Sequence, residues 1–203
     1  DVIVNRRFGK VYVANHLGDS IRVLKGGALI KTIQHVDEPS GLAYNPVTNQ
    51  IFVISAVGRQ GQLYIINGKT DGIQSVIDVG NAPDNIEVHT QANRIYVANN
   101  LSQTVSVING NTMEEETEIN LPSRPISLKL SPKKQRLYVL CTDQNEGILA
   151  VYNTSSNQKV SETTIRSDAS DLTIDPLNHR IYVISTGDLE NGYLQVMNSR
   201  NLK

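Results

Sequence analysis

One short phrase recurs five times in the chain: a β-branched residue or leucine, an aromatic, then valine. The copies are Val11-Tyr12-Val13, Ile51-Phe52-Val53, Ile95-Tyr96-Val97, Leu137-Tyr138-Val139 and Ile181-Tyr182-Val183, and successive copies begin 40, 44, 42 and 44 residues apart. Repetition at this period with strand-forming content predicts a β-propeller, each repeat being one four-stranded blade that buries its apolar faces against its neighbours.

Each repeat divides into strands a to d, counted from the propeller axis outward, with the phrase as strand b. Strand c is the alternating unit at Ile21 to Leu24, Leu63 to Ile66, Val105 to Ile108, Leu149 to Tyr152 and Leu194 to Met197. Strand d is weaker, at Leu29 to Gln34, Gln74 to Val79, Thr117 to Leu121 and Val160 to Ile165. The leading apolar residues of strand a are Val2, Leu42, Ile86, Leu128 and Leu172, each 10 residues before the aromatic of strand b. That constancy predicts an a–b hairpin copied five times. Asn5, Asn45, His89, Ser131 and Asp175 fill the turn slot after strand a, where their side chains bond the local backbone. Gly9, Asn49, Asn93, Gln135 and His179 share a later slot expected to be left-handed, which suits Gly and Asn better than Gln and His.

The expected organisation is one all-β propeller domain over 1–203. Its blades fall at 1–37, 38–81, 82–123 and 124–167, with a partial fifth at 168–203 that lacks strand d. About five blades are visible, and the pattern predicts a view of a longer, seven-bladed propeller. The competing reading is an arc completed or covered by another chain. The start at Asp1 fits a processed, trimmed or excised chain.

Composition narrows the function classes. Hydrophobic content is 39%, charged content 19% and formal net charge −1, so no global charge draws the chain to nucleic acid or anionic lipid. Aromatic content is 5% with no Trp, which argues against stacking sites for nucleic acid or carbohydrate. Glu114, Glu115, Glu116 and Glu118, and likewise Lys133, Lys134 and Arg136, read as solvated turns. The single cysteine, Cys141, excludes an internal disulfide and reads as an inert buried thiol. No stretch is apolar enough to span a bilayer.

Function is expected in the loops that differ between blades. The b–c and d–a loops share one end of a blade, called upper below, and the a–b and c–d turns share the lower end. The d–a loops carry Asp37, Glu38 and Ser40; Asp84 and Asn85; Ser123 and Arg124; and Asp168, Ser170 and Asp171, with Asp1 in the slot of Asn85 and Asp171. Asp1, Ser40, Asp84, Asn85, Arg124 and Asp171 are therefore the candidate ligand-binding residues. Their oxygens suit a hard cation; the alternative is ordinary turn residues bonded to their own backbone. Arg124, the one cation of the set, would clamp an anion or pair with a neighbouring carboxylate. Glu87 and Lys129 hold equivalent strand-a positions and read as an interblade ion pair. No catalytic residue, metal site or cofactor is predicted. His89 and His179 occupy turn slots, His16 and His35 lack a third ligand, and neither a haem-attachment motif, a phosphate loop nor a nucleophile elbow is present. Asn100-Leu101-Ser102 and Asn153-Thr154-Ser155 match the short glycosylation sequon.

Ile95-Tyr96-Val97-Ala98-Asn99-Asn100 followed by Thr104-Val105-Ser106-Val107-Ile108-Asn109 resembles the YVTN family of propeller repeats. Val11-Tyr12-Val13-Ala14-Asn15 resembles it too, as does the connector Val79-Gly80-Asn81-Ala82-Pro83. Repeats two and five depart from the pattern, with Ser55 and Ser185 in place of the asparagine and longer b–c loops after them. The resemblance implies a seven-bladed propeller exported to a periplasmic, cell-surface or extracellular location, without a shared catalytic motif. The expectation is a non-enzymatic scaffold or binding module that engages a protein or small ligand at its upper loops, with no nucleic-acid partner and no transmembrane segment. The alternatives are a lactonase-like hydrolase with a channel-mouth site and an accessory subunit of a larger envelope complex. A partner chain over the incomplete last blade is also envisaged.

Overall fold

In the computed structural model the described residues are 1–143, 145–187 and 191–202. They form the all-β architecture of propeller blades. Blade 1 comprises β1 (Val2–Asn5), β2 (Lys10–Asn15), β3 (Ser20–Lys25) and β4 (Ala28–Gln34); blade 2, β5 (Gly41–Asn45), β6 (Gln50–Val57), β7 (Gln60–Asn67) and β8 (Gly72–Val79). Blade 3 holds β9 (Pro83–His89), β10 (Arg94–Asn99), β11 (Thr104–Asn109) and β12 (Glu114–Asn120). Blade 4 holds β13 (Arg124–Ser131), β14 (Arg136–Thr142), β15 (Gly147–Asn153) and β16 (Lys159–Ile165), and the fifth sheet β17 (Ala169–Asp175), β18 (Arg180–Ser185) and β19 (Tyr193–Asn198). Every sheet is a meander of sequential antiparallel strands.

The constant spacing between strand a and the aromatic has a direct structural meaning. The leading residue of strand a lies opposite the valine of the phrase in all five hairpins: Val2 with Val13, Leu42 with Val53, Ile86 with Val97, Leu128 with Val139 and Leu172 with Val183. A slip of one residue would turn the apolar set to the wrong face, so the repeat holds this register. The shared left-handed slot is also uniform, with φ of 62, 57, 49, 52 and 58° at Gly9, Asn49, Asn93, Gln135 and His179. In four of the copies a hydrogen bond supports it. In repeats two to five the carbonyl of this residue accepts from the first amide of the c–d turn, at Gly68, Gly110, Thr154 and Ser199. That bond offsets the cost of left-handed Gln and His.

By packing, the chain divides into two units, Asp1–Glu118 and Ile119–Lys203. In the first, one core joins blade 1 to blade 2 through Tyr12, Ile21, Val23, Leu42, Ile51 and Val53, and another joins blade 2 to blade 3 through Phe52, Ile54, Leu63, Ile95 and Val97. In the second, Tyr138, Leu140 and Val151 pack against Leu172, Ile181 and Val183. Tyr12, Phe52 and Tyr138 thus lie between blades and are scaffold.

Two expectations are corrected. Glu114, Glu115 and Glu116 lie in β12 rather than in a turn, because the outermost strand is solvated and a charged edge is tolerated there. The long b–c loop expected in the second repeat is a hairpin extension: β6 and β7 pair out to Val57 and Gln60 around Gly58, at φ 65°. The corresponding loop of the fifth repeat lies partly outside the described residues.

Candidate functional site

Asp84, Asn85, Arg124, Ser170 and Asp171, expected in loops, lie on the first residues of strand a. Blades 3 to 5 carry a bulge there. Pro83 opposes Asn99 and Asn85 opposes Ala98, leaving Asp84 as the extra residue. Ile126 and Ser170 are the extra residues of blades 4 and 5. A bulge re-aims one side chain out of the ladder, so strand a delivers Asp84 to the upper end of the first unit.

The scaffold itself uses three of the six candidates. Asp1 accepts from the amides of Val2 (2.7 Å) and, across the blade interface, Leu42 (2.8 Å). The Ser40 hydroxyl donates to the Pro83 carbonyl of blade 3 at 3.1 Å. Asp171 accepts from the Ser127 hydroxyl of blade 4 at 2.7 Å and from the Leu172 amide at 2.8 Å. Here the turn-residue reading prevails in modified form: the groups bond across to the neighbouring strand a as well as to their own backbone. Asn85 occupies the same register position as Ser127 and Asp171.

Asp84 and Arg124 behave differently. Asp84 is an exposed residue, yet the atoms crowding its carboxyl at the bulge push it up to about 6 by desolvation, against the bonds from the Asn100 side chain and its own backbone amide that favour the anion; solvent at this open position screens part of that effect. Arg124 is exposed and forms no ion pair among the described residues. Asp168, a possible pairing partner for a neighbouring cation, is held by Arg166 through two bonds of 2.9 Å, which keep its carboxyl below the usual range. Asp84 and Arg124 each lie near an orphaned polar atom: Asn99 pairs with Pro83, the residue before Asp84, and Ser123 precedes Arg124 in the chain. Asn99 is fully buried; its amide donates to Thr104 and Ser106 while its Oδ1 has no partner among the described residues. The buried Ser123 hydroxyl, next to Arg124, is likewise without one. Leaving such a group unpaired costs about 1–3 kcal/mol, which native proteins rarely accept without reason.

The asparagine that ends strand b has a structural role. Asn99, like Asn15 with Ser20 at 3.3 Å, ties strand b to strand c. Where serine replaces it, Ser55 donates instead to the Asp37 carbonyl. Among the described residues no three His, Cys, Asp or Glu side chains converge as metal ligands. Glu87 and Lys129 lie opposite the aromatics of their own hairpins, Tyr96 and Tyr138.

Sequence reasoning missed the fasteners at the lower end. Lys10 Nζ bonds Asp71 at 2.6 Å and the Lys69 carbonyl at 2.9 Å, while the Tyr12 hydroxyl donates to the other Asp71 oxygen. Burial together with this carboxylate pushes the Tyr12 hydroxyl far above its ordinary value. Asn5 donates to Asn49 (2.9 Å) and Asn45 to Asn93 (2.7 Å), each joining one blade to the next. A signal was present: the position before each phrase is polar in every repeat, namely Lys10, Gln50, Arg94, Arg136 and Arg180.

No family model and no curated protein matches the chain. Among solved structures it is similar to hydrazine synthase of Kuenenia stuttgartiensis, with a TM-score of 0.81 and 15% identity over 94% of this chain. The match covers 60% of that structure's chain. The likeness concerns the fold, a β-propeller, and carries no chemistry.

Proposed function

We propose that the chain is a non-enzymatic propeller scaffold of the YVTN-repeat type, exported to the cell envelope, that engages a protein or small ligand through its upper ends. One observation carries the binding role. Strand a spends Asp1, Ser40 and Asp171 on joining blades, but presents Asp84 on a bulge with its carboxyl raised to about 6 and Arg124 without an ion pair among the described residues. A perturbed carboxyl at the upper end of the first unit and an exposed, unspent cation at that of the second each offer, within their own unit, what recognition requires. The repeat resemblance supports the envelope location. Native mass spectrometry of the chain purified from its own envelope fraction tests the reading. The unaltered protein retains a ligand or partner, and Asp84→Asn and Arg124→Ala each weaken retention with melting temperature unchanged. Full retention by both variants, or recovery of the chain only from the cytosol, would overturn it.

A further inference from the structure

The lower end of the first unit carries charge that the proposed function does not use. Antiparallel pairing brings the a–b turns and c–d turns of blades 1 and 2 to this end: Asn5 faces Lys10, Lys10 faces Lys25, and Asn45, Gln50 and Asn67 form the equivalent row. Arg6, Arg7, Lys10, Lys25, Lys31 and Lys69 lie on or reach these turns, against a single carboxylate, Asp71. Lys10 and Tyr12 consume that carboxylate, and Lys31 is spent on the carbonyls of Thr70 and Asp71. Arg6, Arg7, Lys25 and Lys69 are exposed and form no ion pair among the described residues.

Two of these cations border an open cleft of about 560 Å³, lined by Val4, Arg6, Arg7, Tyr44 and Pro46. One wall is cationic and the other apolar: Val4 is 51% exposed, and the Tyr44 ring is fixed by its hydroxyl bond to Asn49 at 3.4 Å. The upper end of the same two blades is acidic, with Asp1, Asp19, Asp37, Glu38 and Asp78 against Arg59. Blades 1 and 2 are therefore polarised along their strands, and their field turns an incoming acidic partner toward their lower end; blade 3, with Glu114, Glu115 and Glu116 beside Arg94 at its lower end, adds nothing to that polarity.

We propose that this cleft is a second docking surface, and that it takes an acidic peptide segment of a partner protein, with an apolar side chain seated on Val4, Tyr44 and Pro46 and carboxylates on Arg6 and Arg7. Guanidinium forks match carboxylates with two parallel bonds. A nucleic acid fits less well. Single strands need exposed aromatic faces for stacking, whereas Tyr44 is half-buried and Phe8 lies half-buried beside Arg7 and Lys10.

Fluorescence anisotropy with a labelled peptide alternating glutamate and phenylalanine tests the assignment, beside a polyglutamate of equal charge and a labelled oligouridine. The mixed peptide binds tightest, and the Arg6→Ala/Arg7→Ala variant weakens it about tenfold or more. Arg59→Ala, the loss of one charge at the opposite end, leaves it unchanged. Circular dichroism melts confirm that the variants fold, and Arg6→Lys/Arg7→Lys, which keeps charge but not the fork, gives an intermediate loss. The proposal is overturned by equal binding of the double alanine variant, by oligouridine binding as tightly as the peptide, by polyglutamate matching the mixed peptide, or by absence of peptide binding.

Discussion

Asp71→Ala is the most informative single perturbation of the scaffold. The carboxylate and the Lys10 ammonium are each about 8% exposed and 2.6 Å apart. Without Asp71, Lys10 keeps the Lys69 carbonyl at 2.9 Å and the Gly68 carbonyl at 3.5 Å but loses its counter-charge, and Tyr12 keeps only the Gly68 carbonyl at 3.3 Å. Breaking a buried pair from one side costs about 3–5 kcal/mol because the remaining charge is uncompensated. The surviving carbonyls place this case at the low end, about 3 kcal/mol, or roughly 6–12 °C in melting temperature for a chain of this size. Lys10→Met strands the carboxylate and costs a similar amount. Lys10→Met with Asp71→Ala removes both charges, so the double variant recovers about 2 kcal/mol relative to the sum of the singles. Urea unfolding followed by circular dichroism measures all four proteins, since the chain has no Trp. An Asp71→Ala cost below about 1 kcal/mol, or strictly additive single effects, would refute the reasoning.

Other outcomes follow from the same structure. Cys141 is fully buried and its thiol is pushed up to about 12 by burial, so an aromatic disulfide reagent at mildly alkaline pH leaves it unmodified until denaturant is added; rapid native labelling would contradict its burial. Tyr12, Tyr138 and Tyr152 are raised by desolvation, Tyr152 to about 12, from an ordinary value of 10.0. A group raised on folding contributes its full stability below the unfolded value and loses it above. Unfolding free energy should therefore fall as pH climbs past 10, and ultraviolet titration should show these phenols ionising together with unfolding. Asp84 obeys the same sign at lower pH, with a small effect because the residue is exposed: the stability linked to its protonated form is complete below about 4 and is lost as pH rises through about 6, and Asp84→Asn removes that dependence in a pH series of urea midpoints. Asn45→Ala removes the bonds to Asn93 and to the Thr90 carbonyl and the cap on the Val47 amide, and should cost about 2 kcal/mol in the same assay; Asn45→Asp keeps the cap but sets a carboxylate against Asn93 Oδ1 and recovers little.

Most of the fold was legible because the repeat encodes register. The fixed spacing from Val2, Leu42, Ile86, Leu128 and Leu172 to the aromatics becomes the same cross-strand pair in each hairpin. The left-handed slot was legible at Gly9, Asn49 and Asn93 from residue type. At Gln135 and His179 only alignment of the copies revealed it, because the carbonyl bond to the c–d turn that supports it there lies outside the residue itself. The candidate site was half legible. Loop position nominated Asp1, Ser40 and Asp171, but one-dimensional spacing does not show that their partners lie across a blade interface, on Leu42, Pro83 and Ser127. The bulge that sets Asp84 apart leaves no mark in composition, since an extra residue in a strand resembles one more loop residue. The Lys10, Tyr12 and Asp71 cluster escaped because its members are about 60 positions apart.

Hydrogen–deuterium exchange on the natively purified chain, with and without the ligand it retains, tests the central claim that the repeat is scaffold and the upper ends bind. The account predicts ligand-dependent protection at residues 82–85 and 99–102 and around 123–125, with the strand-b cores around Tyr12, Phe52, Tyr96, Tyr138 and Tyr182 slow to exchange in both states. Protection confined to other surfaces, or ligand-dependent change in the strand-b cores with none at Asp84 and Arg124, would contradict it.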